Sequence, residues 1–188
     1  MRKLTVFNHV TLDGYFVNKQ NDFGWARHGN EEPEFAEFVA ENAKGGGALV
    51  FGRKTYALMA GFWPTPVADK HDPIVAKQMN AMPKIVFSKT LDAAHWNNTR
   101  LMKGDLITEA RKLKSEDGPD MCILGSGSLV PQLASAGLID EYQMVLDPIA
   151  LGDGRSMFAG LEKPLDLKLA RSRIFRNGKI FLSYAPAN

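Results

Sequence analysis

Two glycine-containing turns that follow short apolar runs carry groups able to bind phosphate. One is Leu124-Gly125-Ser126-Gly127-Ser128, where glycines would let the backbone approach a pyrophosphate and the amides opening the next helix would favour an anion. The turn lacks the complete G-x-G-x-x-G fingerprint, so it does not indicate a conventional Rossmann site. A tight turn with an N-capping serine and no ligand accounts for the same residues equally well.

The second turn is Phe51-Gly52-Arg53-Lys54-Thr55, in which two cations and a hydroxyl open a helix. Cations at a helix N-terminus oppose the helix dipole, so an anion that draws them there is a simpler explanation than solvation. Ser88-Lys89-Thr90, at the end of another apolar run, again combines a hydroxyl with a cation. Because arginine or lysine near the ribose accommodates a 2′-phosphate, these turns together predict NADPH rather than NADH as the ligand.

Two aspartates are candidates for proton transfer in a hydride-transfer reaction, which otherwise requires little from the protein beyond positioning. Asp13, in an aspartate-glycine turn, is the first candidate, and Asp147, before Pro148 at a strand end, is the second. Either aspartate could instead only shape its turn. His9 and His28 are further candidates, which we interpret as incidental.

Aromatic side chains are the candidates for contact with a flat substrate ring, with core packing as the alternative. They are Tyr15, Phe23, Trp25 and Trp63. The four histidines show no H-x-H or H-E-x-x-H spacing, so no metal site is predicted. Cys122, the single cysteine, lies in an apolar run and is expected in the core.

Composition excludes several classes of protein. The 188 residues are 45% apolar and 23% charged, as in an ordinary globular chain, and their number fits one domain covering residues 1–188. A net charge of +2 is too small to indicate nucleic acid or a membrane surface as a partner, so neither is expected, and any basic residues that matter must act locally, at a site for a small-molecule substrate. The chain shows neither a signal-peptide core nor an apolar run long enough to span a bilayer, so a cytoplasmic location is expected.

The elements that must position these residues alternate between strand and helix patterns along most of the chain. Strands are predicted at 4–10, 48–51, 84–88, 121–124 and 142–146, and helices at 33–43, 54–59, 105–113 and 128–136. Strands at 165–174 and 179–184 would form a terminal hairpin around Asn177-Gly178. The pattern predicts a three-layer α/β/α fold, with a mostly parallel central sheet and a C-terminal antiparallel hairpin.

Several of these motifs also occur, in the same order, in dihydrofolate-reductase-like proteins. They are Val10-Thr11-Leu12-Asp13-Gly14-Tyr15, Gly52-Arg53-Lys54-Thr55-Tyr56 and the Gly125–Ser128 turn. The later stretch, 137–141 followed by Pro148-Ile149-Ala150-Leu151-Gly152-Asp153-Gly154, resembles the reductase half of the bifunctional riboflavin-biosynthesis deaminase–reductase. The resemblance covers nearly the whole chain.

This resemblance implies a dihydrofolate-reductase-like fold that binds NADPH across the carboxyl ends of the central strands. It assigns phosphate contacts to Gly52, Arg53, Lys54 and Thr55, the adenosine 2′-phosphate to Ser88 and Lys89, and the pyrophosphate to Gly125, Ser126, Gly127, Ser128 and Leu129. The backbone of Val10 would lie near the nicotinamide carboxamide. The Thr11–Tyr15 loop would lie beside the ring, where such loops often gate access.

Two departures from the family pattern limit what can be carried over. Dihydrofolate reductases grip the pterin with a carboxylate early in the first helix, but none of Glu31, Glu32, Glu34 and Glu37 aligns with it convincingly. The riboflavin enzyme has an acidic, proline-containing segment ending in arginine after its second strand, whereas this chain has Met59-Ala60-Gly61-Phe62-Trp63-Pro64. An aromatic, cation-poor segment does not suit a ribose phosphate. The chain is most similar to the stand-alone members of the superfamily.

The resulting hypothesis is an NADPH-dependent reductase of a small substrate. The substrate would be a pterin-like or pyrimidine-like heterocycle, such as 5-amino-6-(5-phosphoribosylamino)uracil, or a carbonyl compound. The alternatives are a nucleotide-binding sensor or scaffold without turnover and a flavin-binding member of the same fold. The hairpin and the 142–146 strand could supply the edges of a homodimer. Strand ends capped by side chains, with no room for a dinucleotide, would contradict the enzyme hypothesis.

Overall fold

The computed structural model describes residues 1–187, which form two compact units. Residues 1–3 and 37–126 make up the first unit, and residues 4–36 and 127–187 make up the second. The strands are β1 (Leu4–Thr11), β2 (Tyr15–Val17), β3 (Ala48–Gly52), β4 (Lys84–Phe87), β5 (Thr99–Met102), β6 (Met121–Leu124), β7 (Glu141–Asp147), β8 (Arg155–Ser156), β9 (Leu167–Ile174) and β10 (Ile180–Pro186). The helices are α1 (Pro33–Lys44), α2 (Arg53–Phe62), α3 (Pro66–His71), α4 (Pro73–Ala81), α5 (Leu106–Ser115) and α6 (Val130–Ser135), with a short 3-10 helix at Gly24–Arg27.

Four parallel strands in the order β5-β4-β3-β6 form the sheet of the first unit. β3 is buried along its whole length because its residues are small or apolar on both faces, as expected for a strand covered on both sides. The register pairs Gly52 of β3 with Phe87 of β4, and Val50 of β3 with Ile123 of β6. The carboxyl ends of these three strands therefore meet at one edge.

The second unit combines parallel and antiparallel pairs in the order β1-β7-β10-β9. β1 and β7 run parallel with Thr11 beside Asp147, and β10 pairs antiparallel with both β7 and β9. β2 and β8 form a separate two-stranded sheet. The mostly parallel strand arrangement, the C-terminal antiparallel hairpin and the flanking helices are as predicted.

The hairpin turn spans Phe175–Gly178, where the Gly178 N–H donates to the Phe175 carbonyl at 3.0 Å. Gly178 has a φ of +83°, a value that glycine adopts without steric cost. Asn177 keeps a negative φ and accepts a bond from the Lys179 N–H at 3.0 Å through its side chain. Asn177-Gly178 therefore marks the hairpin, with only the glycine in the left-handed region.

Several elements differ from the sequence-based expectation. The helix predicted at 128–136 begins later, at Val130, because residues 127–129 form turns. Six elements were not predicted: the strands β2, β5 and β8, the helices α3 and α4, and the 3-10 helix at Gly24–Arg27. Cys122 is half-buried instead of buried, because alternate residues of β6 are less covered. Within residues 1–187 no helix has the length and apolar character needed to cross a membrane.

Candidate functional site

The first unit gathers one group of predicted site residues at the carboxyl ends of β3, β4 and β6. Because Gly52 pairs with Phe87, the residues that follow them, Arg53 and Ser88, leave the sheet at the same edge. β6 ends beside them and leads into Gly125 and Ser126. The sequence therefore placed these turns at one edge correctly, as expected for parallel strands.

Side chains tie two of these turns to each other. The Ser126 hydroxyl accepts a hydrogen bond from the Gly52 N–H at 2.9 Å and donates one to the Leu124 carbonyl at 2.9 Å. The Ser126 N–H donates to the Thr55 hydroxyl at 3.0 Å. These bonds hold Ser126 at a φ of +57°, a strained value for a residue with a side chain. The amides of Gly52 and Ser126 are therefore bonded within the protein and are not free for a phosphate.

Close packing explains the glycine at position 125. It has a φ of +59°, and a Cβ atom there would lie 2.8 Å from the Thr55 Cγ2 atom. Any side chain would force Thr55 away from Ser126. The glycine is therefore required by the contact between the two turns, whether or not a pyrophosphate approaches it.

Cationic groups at the same edge remain free. Arg53 and Lys54 are exposed in the first turn of α2, which contains no acidic residue and has no side-chain cap. Neither cation has an ion-pair partner among the residues that the structure describes. Two unpaired cations at a helix N-terminus that no side chain caps provide donors suited to an anion.

The Ser88–Lys89 turn adds a third cation. The Ser88 hydroxyl accepts bonds from the N–H groups of Thr90 and Leu91 at 3.2 and 2.9 Å, so it shapes the turn. Lys89 is exposed. The pKa of Asp105 lies below its ordinary value because its carboxylate accepts hydrogen bonds from Thr108 and, to a smaller extent, because Lys89 is nearby. Lys89 is therefore partly compensated by a neighbouring carboxylate.

In the second unit, Asp13 holds the Thr11–Tyr15 loop in place through hydrogen bonds. Its carboxylate accepts bonds from the Thr11 hydroxyl and from the N–H groups of Leu151 and Gly152, the latter two at 2.9 and 2.7 Å. The bond from Thr11, followed by the one from Gly152, lowers the pKa of Asp13. A lowered pKa favours the carboxylate over the acid, so the geometry suits the alternative role of shaping the turn better than donation of a proton.

The rest of the predicted pyrophosphate turn lies in the second unit and is partly buried. A Cβ atom at Gly127 would lie 2.5 Å from the Phe16 ring, so packing explains this glycine too. Leu129 and Val10 are 6% and 9% exposed and belong to the core, whereas Ser128 is exposed. Within this group Ser128 alone presents an exposed side chain to solvent.

The predicted substrate residues are divided between the units. Tyr15 and Trp25 belong to the second unit, where Trp25 is 8% exposed and its indole N–H has no hydrogen-bond partner. Trp63 belongs to the first unit and is packed at the end of α2, with its indole N–H 3.2 Å from the Met59 sulfur. A cavity of about 660 Å³ in the first unit, lined in part by Tyr56, is not lined by any predicted site residue.

Asp147 lies at the centre of a buried charged cluster in the second unit. One carboxylate oxygen is 2.7 Å from the His9 Nδ1 atom, and the other accepts a bond from the Lys179 ammonium. The Asp147 and Lys179 side chains are 3% and 1% exposed, whereas His9 is 21% exposed. The cluster therefore runs from a fully buried cation, through a carboxylate, to an imidazole that water can reach.

Aromatic rings and one backbone carbonyl complete this cluster. The Lys179 ammonium also donates to the Ala26 carbonyl at 2.8 Å and lies 4.9 Å from the centroid of the Phe35 ring. Phe7 and Phe35 pack edge-on against the imidazole of His9. No hydrogen bond to the His9 Nε2 atom occurs among residues 1–187.

A functional role was not predicted from the sequence for two members of the cluster. His9 was interpreted as incidental, and Lys179 was treated only as a strand residue. Period-two alternation offers a signal for Lys179. It directly precedes β10, and the alternation puts it on the same face as Phe181 and Ser183, which are both buried. A lysine on the buried face of a strand requires a partner, and Asp147 is such a partner.

Across residues 1–187, no three His, Cys, Asp or Glu side chains converge in an arrangement able to hold a metal ion.

Two comparisons of sequence give relatives over nearly the full length. A family model for the RibD C-terminal domain matches residues 2–181. The uncharacterized protein YyaP of Bacillus subtilis (strain 168) is 26% identical over 187 residues, which cover 97% of this chain and 94% of YyaP.

Solved structures show the same fold. A protein of Shewanella sp. PV-4 that is named for riboflavin biosynthesis has a TM-score of 0.74 at 22% identity and covers 99% of both chains. Dihydrofolate reductase from Enterococcus faecalis, solved with NADP(H) and RAB-propyl, has a TM-score of 0.64 at 14% identity, over 99% of this chain and 97% of the reductase. These matches confirm the dihydrofolate-reductase-like fold and the resemblance found in the sequence.

Proposed function

The chain belongs to the RibD C-terminal domain family, and from this premise we propose that it is an NADPH-dependent reductase of a small planar heterocycle or carbonyl compound. The observation that carries the proposal is the pair of unpaired cations, Arg53 and Lys54, at the uncapped N-terminus of α2. NADP(H) bound to the dihydrofolate reductase of the same fold supports this choice of cofactor. When bound, NADPH supplies the hydride.

Arg53, Lys54 and Lys89 hold the phosphates of this cofactor in the proposal. The internal bonds of Gly52 and Ser126 reduce the number of backbone donors at the site, so side-chain charge has to supply most of the affinity. In the proposal Arg53 also contacts the 2′-phosphate, beside Ser88 and Lys89, because a guanidinium binds a phosphate in a bidentate manner. The preference for NADPH over NADH therefore depends on Arg53.

The test is the affinity of the Arg53→Ala variant for the two nicotinamide nucleotides. We expect NADPH binding to weaken about 10- to 100-fold, a loss of about 1.4 to 2.8 kcal/mol, and NADH binding to change less than about threefold. Quenching of protein fluorescence measures both. Arg100→Ala is the matched control, because Arg100 is exposed in the same unit and pairs with Glu116. Equal losses for the two nucleotides would reject the role of Arg53.

Turnover separates this proposal from a sensor or scaffold without activity. The capped amides of Gly52 and Ser126 are the observation that favours the sensor, because they leave fewer groups to position a cofactor. NADPH oxidation is measured with 5-amino-6-(5-phosphoribosylamino)uracil, 7,8-dihydropterin and an aromatic aldehyde. Binding of NADPH without oxidation in any of these mixtures supports the sensor, and a yellow purified protein supports the flavin alternative.

The proposed enzyme acts in the cytoplasm, as one domain, and pairs through β9. This strand ends the strand order of the second unit, and its residues are exposed almost throughout. Leu169 and Ile174 are 50% and 74% exposed, which is unusual for apolar strand residues that contact only water. Sedimentation equilibrium at micromolar concentration would show a dimer, and a monomer there would reject this interface.

A further inference from the structure

His9 is the group we infer to donate the proton in the reaction, and Asp147 and Lys179 are the residues that hold it ready. The inference rests on the proposed function, which it extends by naming the proton donor and by limiting the acceptor to a neutral C=N or C=O bond. It replaces Asp13 and Asp147 as the proton donors considered from the sequence.

Asp147 cannot itself reach a substrate. Its side chain is 3% exposed, and each oxygen already has a partner, His9 on one side and Lys179 on the other. The buried ammonium of Lys179 keeps this carboxylate paired as a hydrogen-bond acceptor. Asp147 is therefore a positioning residue that acts through His9.

The paired carboxylate determines which nitrogen of His9 is available to a substrate. Because Asp147 is an acceptor, the Nδ1 atom at 2.7 Å must carry a proton and donate it. The Nε2 atom remains as the nitrogen that gains or loses the second proton. An aspartate that fixes the tautomer of a histidine and stabilises its cation is the arrangement that general acid–base catalysis requires.

Lys179 offsets the cost of burying the Asp147 carboxylate. Its ammonium cancels the charge of Asp147 and donates to the Ala26 carbonyl at 2.8 Å. Asp147 contacts His9 directly and Lys179 acts on it through Asp147, whereas the two rings that pack against His9, those of Phe7 and Phe35, are neutral.

The cluster lies where chemistry is expected in this type of fold. His9 is two residues from the carboxyl end of β1, and Asp147 is the last residue of β7, its parallel neighbour. Ligands of open α/β sheets bind outside these ends. The 3-10 helix that supplies the Ala26 carbonyl also carries Trp25, whose buried indole N–H lacks a partner, as a donor meant for a ligand would.

The proton balances the hydride transfer. The substrate carbon of a C=N or C=O bond gains the hydride with its electron pair, which NADPH supplies as it is oxidised to NADP⁺. The π electrons of the double bond pass to nitrogen or oxygen, which takes the Nε2 proton of His9. The partly exposed imidazole then regains a proton from water. An acceptor that is already a cation needs only the hydride.

The decisive comparison uses two acceptors with the same ring system, of which one needs a proton and the other does not. They are 3,3-dimethyl-3H-indole, a neutral imine, and its N-methyl cation. The variant is His9→Asn, whose amide can still donate to Asp147, so the buried carboxylate keeps a partner. We expect kcat/KM for the imine to fall at least about 100-fold and that for the cation to change less than about threefold. His71→Gln, at an exposed histidine of α3, should leave both rates unchanged.

A turnover-independent measurement examines the same cluster in the wild-type protein. Long-range ¹H–¹⁵N spectra of ¹⁵N-histidine-labelled protein report the tautomer of His9, and His9→Asn identifies its signals. We expect Nδ1 to be protonated and Nε2 to be free in the neutral ring. A neutral His9 with its proton on Nε2 would overturn the inference.

The remaining outcomes separate this inference from the proposed function. A His9→Asn variant that reduces the imine at the wild-type rate, or loses both acceptors equally, overturns the role of His9 and leaves the reductase intact. A wild-type protein that binds NADPH and reduces only the cation overturns the stated acceptor class. A wild-type protein that does not bind NADPH removes the proposed function, and the catalytic role of His9 is lost with it.

Discussion

Each unit of the molecule buries a lysine almost completely beneath an aromatic ring, but the two ammonium groups have different partners. Lys84, in the first unit, is 1% exposed and lies 4.3 Å from the centroid of a Trp96 ring. It donates to the carbonyls of Asn80, Met82 and Asn97 at 3.0, 2.8 and 3.1 Å. No carboxylate pairs with Lys84 among residues 1–187.

Lys179, in the second unit, is equally buried at 1% exposure, and its ammonium lies 4.9 Å from the centroid of Phe35. It donates to one carbonyl, that of Ala26, and to the carboxylate of Asp147. The other oxygen of this carboxylate is hydrogen-bonded to His9. The same ingredients, a lysine and a ring, are thus combined once with carbonyls only and once with a carboxylate.

The difference in partners separates Lys84, which stabilises the backbone, from Lys179, which belongs to a cluster that can take part in a reaction. Lys84 donates hydrogen bonds to three backbone carbonyls and, among the described residues, none of these leads to a titratable group. Burial lowers the pKa of Lys84 to about 8. Lys179 neutralises Asp147, and Asp147 is also hydrogen-bonded to His9, which is 21% exposed. A buried cation is therefore informative about function when its partner leads to a group that solvent or substrate can reach.

The largest expected effect comes from breaking the charged pair. Lys179→Met leaves the Asp147 carboxylate buried without its cation, so we expect the free energy of unfolding to fall by about 3–5 kcal/mol. Lys84→Met removes a buried charge while leaving carbonyls without a donor, and we expect a smaller loss of about 1–3 kcal/mol. Urea denaturation at pH 7 measures both. A larger loss for Lys84→Met would remove the distinction between the two lysines.

A double variant serves as the control for that difference. Replacing both members of a buried pair with apolar side chains avoids an unpaired charge and is often close to neutral. We therefore expect Lys179→Met combined with Asp147→Leu to recover most of the stability lost in Lys179→Met alone. Failure to recover it would mean that the loss comes from altered packing around Phe35 instead of from the charge.

Local signals in the sequence were sufficient for the fold. β3 is a bounded apolar run and β10 follows an asparagine-glycine turn, so both were predicted close to their observed bounds. The helices α3 and α4 were missed although each starts with a capping residue before a proline, Thr65 before Pro66 and Asp72 before Pro73. Their short lengths leave little periodicity, so the capping pattern was the better signal.

The candidate site was predictable only in part. The turns around Arg53 and Ser88 follow strands, and parallel pairing alone brings them to one edge. The bond from Ser126 to Thr55 depends on a left-handed serine, which its sequence does not indicate. The contact of Lys179 with Asp147 joins residues 32 positions apart, so it follows from strand order and register, which propensities do not contain.

The next effect is a dependence of stability on pH that belongs to Lys84. Its pKa is about 8 in the folded protein and 10.5 in an ordinary lysine. Below pH 8 the group is protonated in both states, but between about pH 8 and 10.5 the unfolded chain binds the proton more strongly. Stability contributed by this group therefore rises with pH over that window, by at most about 3 kcal/mol.

Subtracting the Lys84→Met curve from the wild-type curve isolates this contribution. We expect the difference in unfolding free energy to grow in favour of the wild type from pH 7.5 to pH 10. Lys70→Met, at an exposed lysine of α3, is the control and should give a difference that does not change with pH. A flat difference for Lys84→Met would show that its ammonium stays charged in the folded protein.

The smallest effect is the coupling between each lysine and its ring, measured by double-mutant cycles with Trp96→Leu and Phe35→Leu. We expect about 1–2 kcal/mol for Lys84 with Trp96 and about 0.5 kcal/mol for Lys179 with Phe35. Tryptophan attracts cations more strongly than phenylalanine, and the charge of Lys84 is not cancelled by a carboxylate. Raising the pH to 10 should reduce the coupling of Lys84, because that lysine then loses its charge. Equal couplings at pH 7 would mean that Asp147 does not neutralise Lys179.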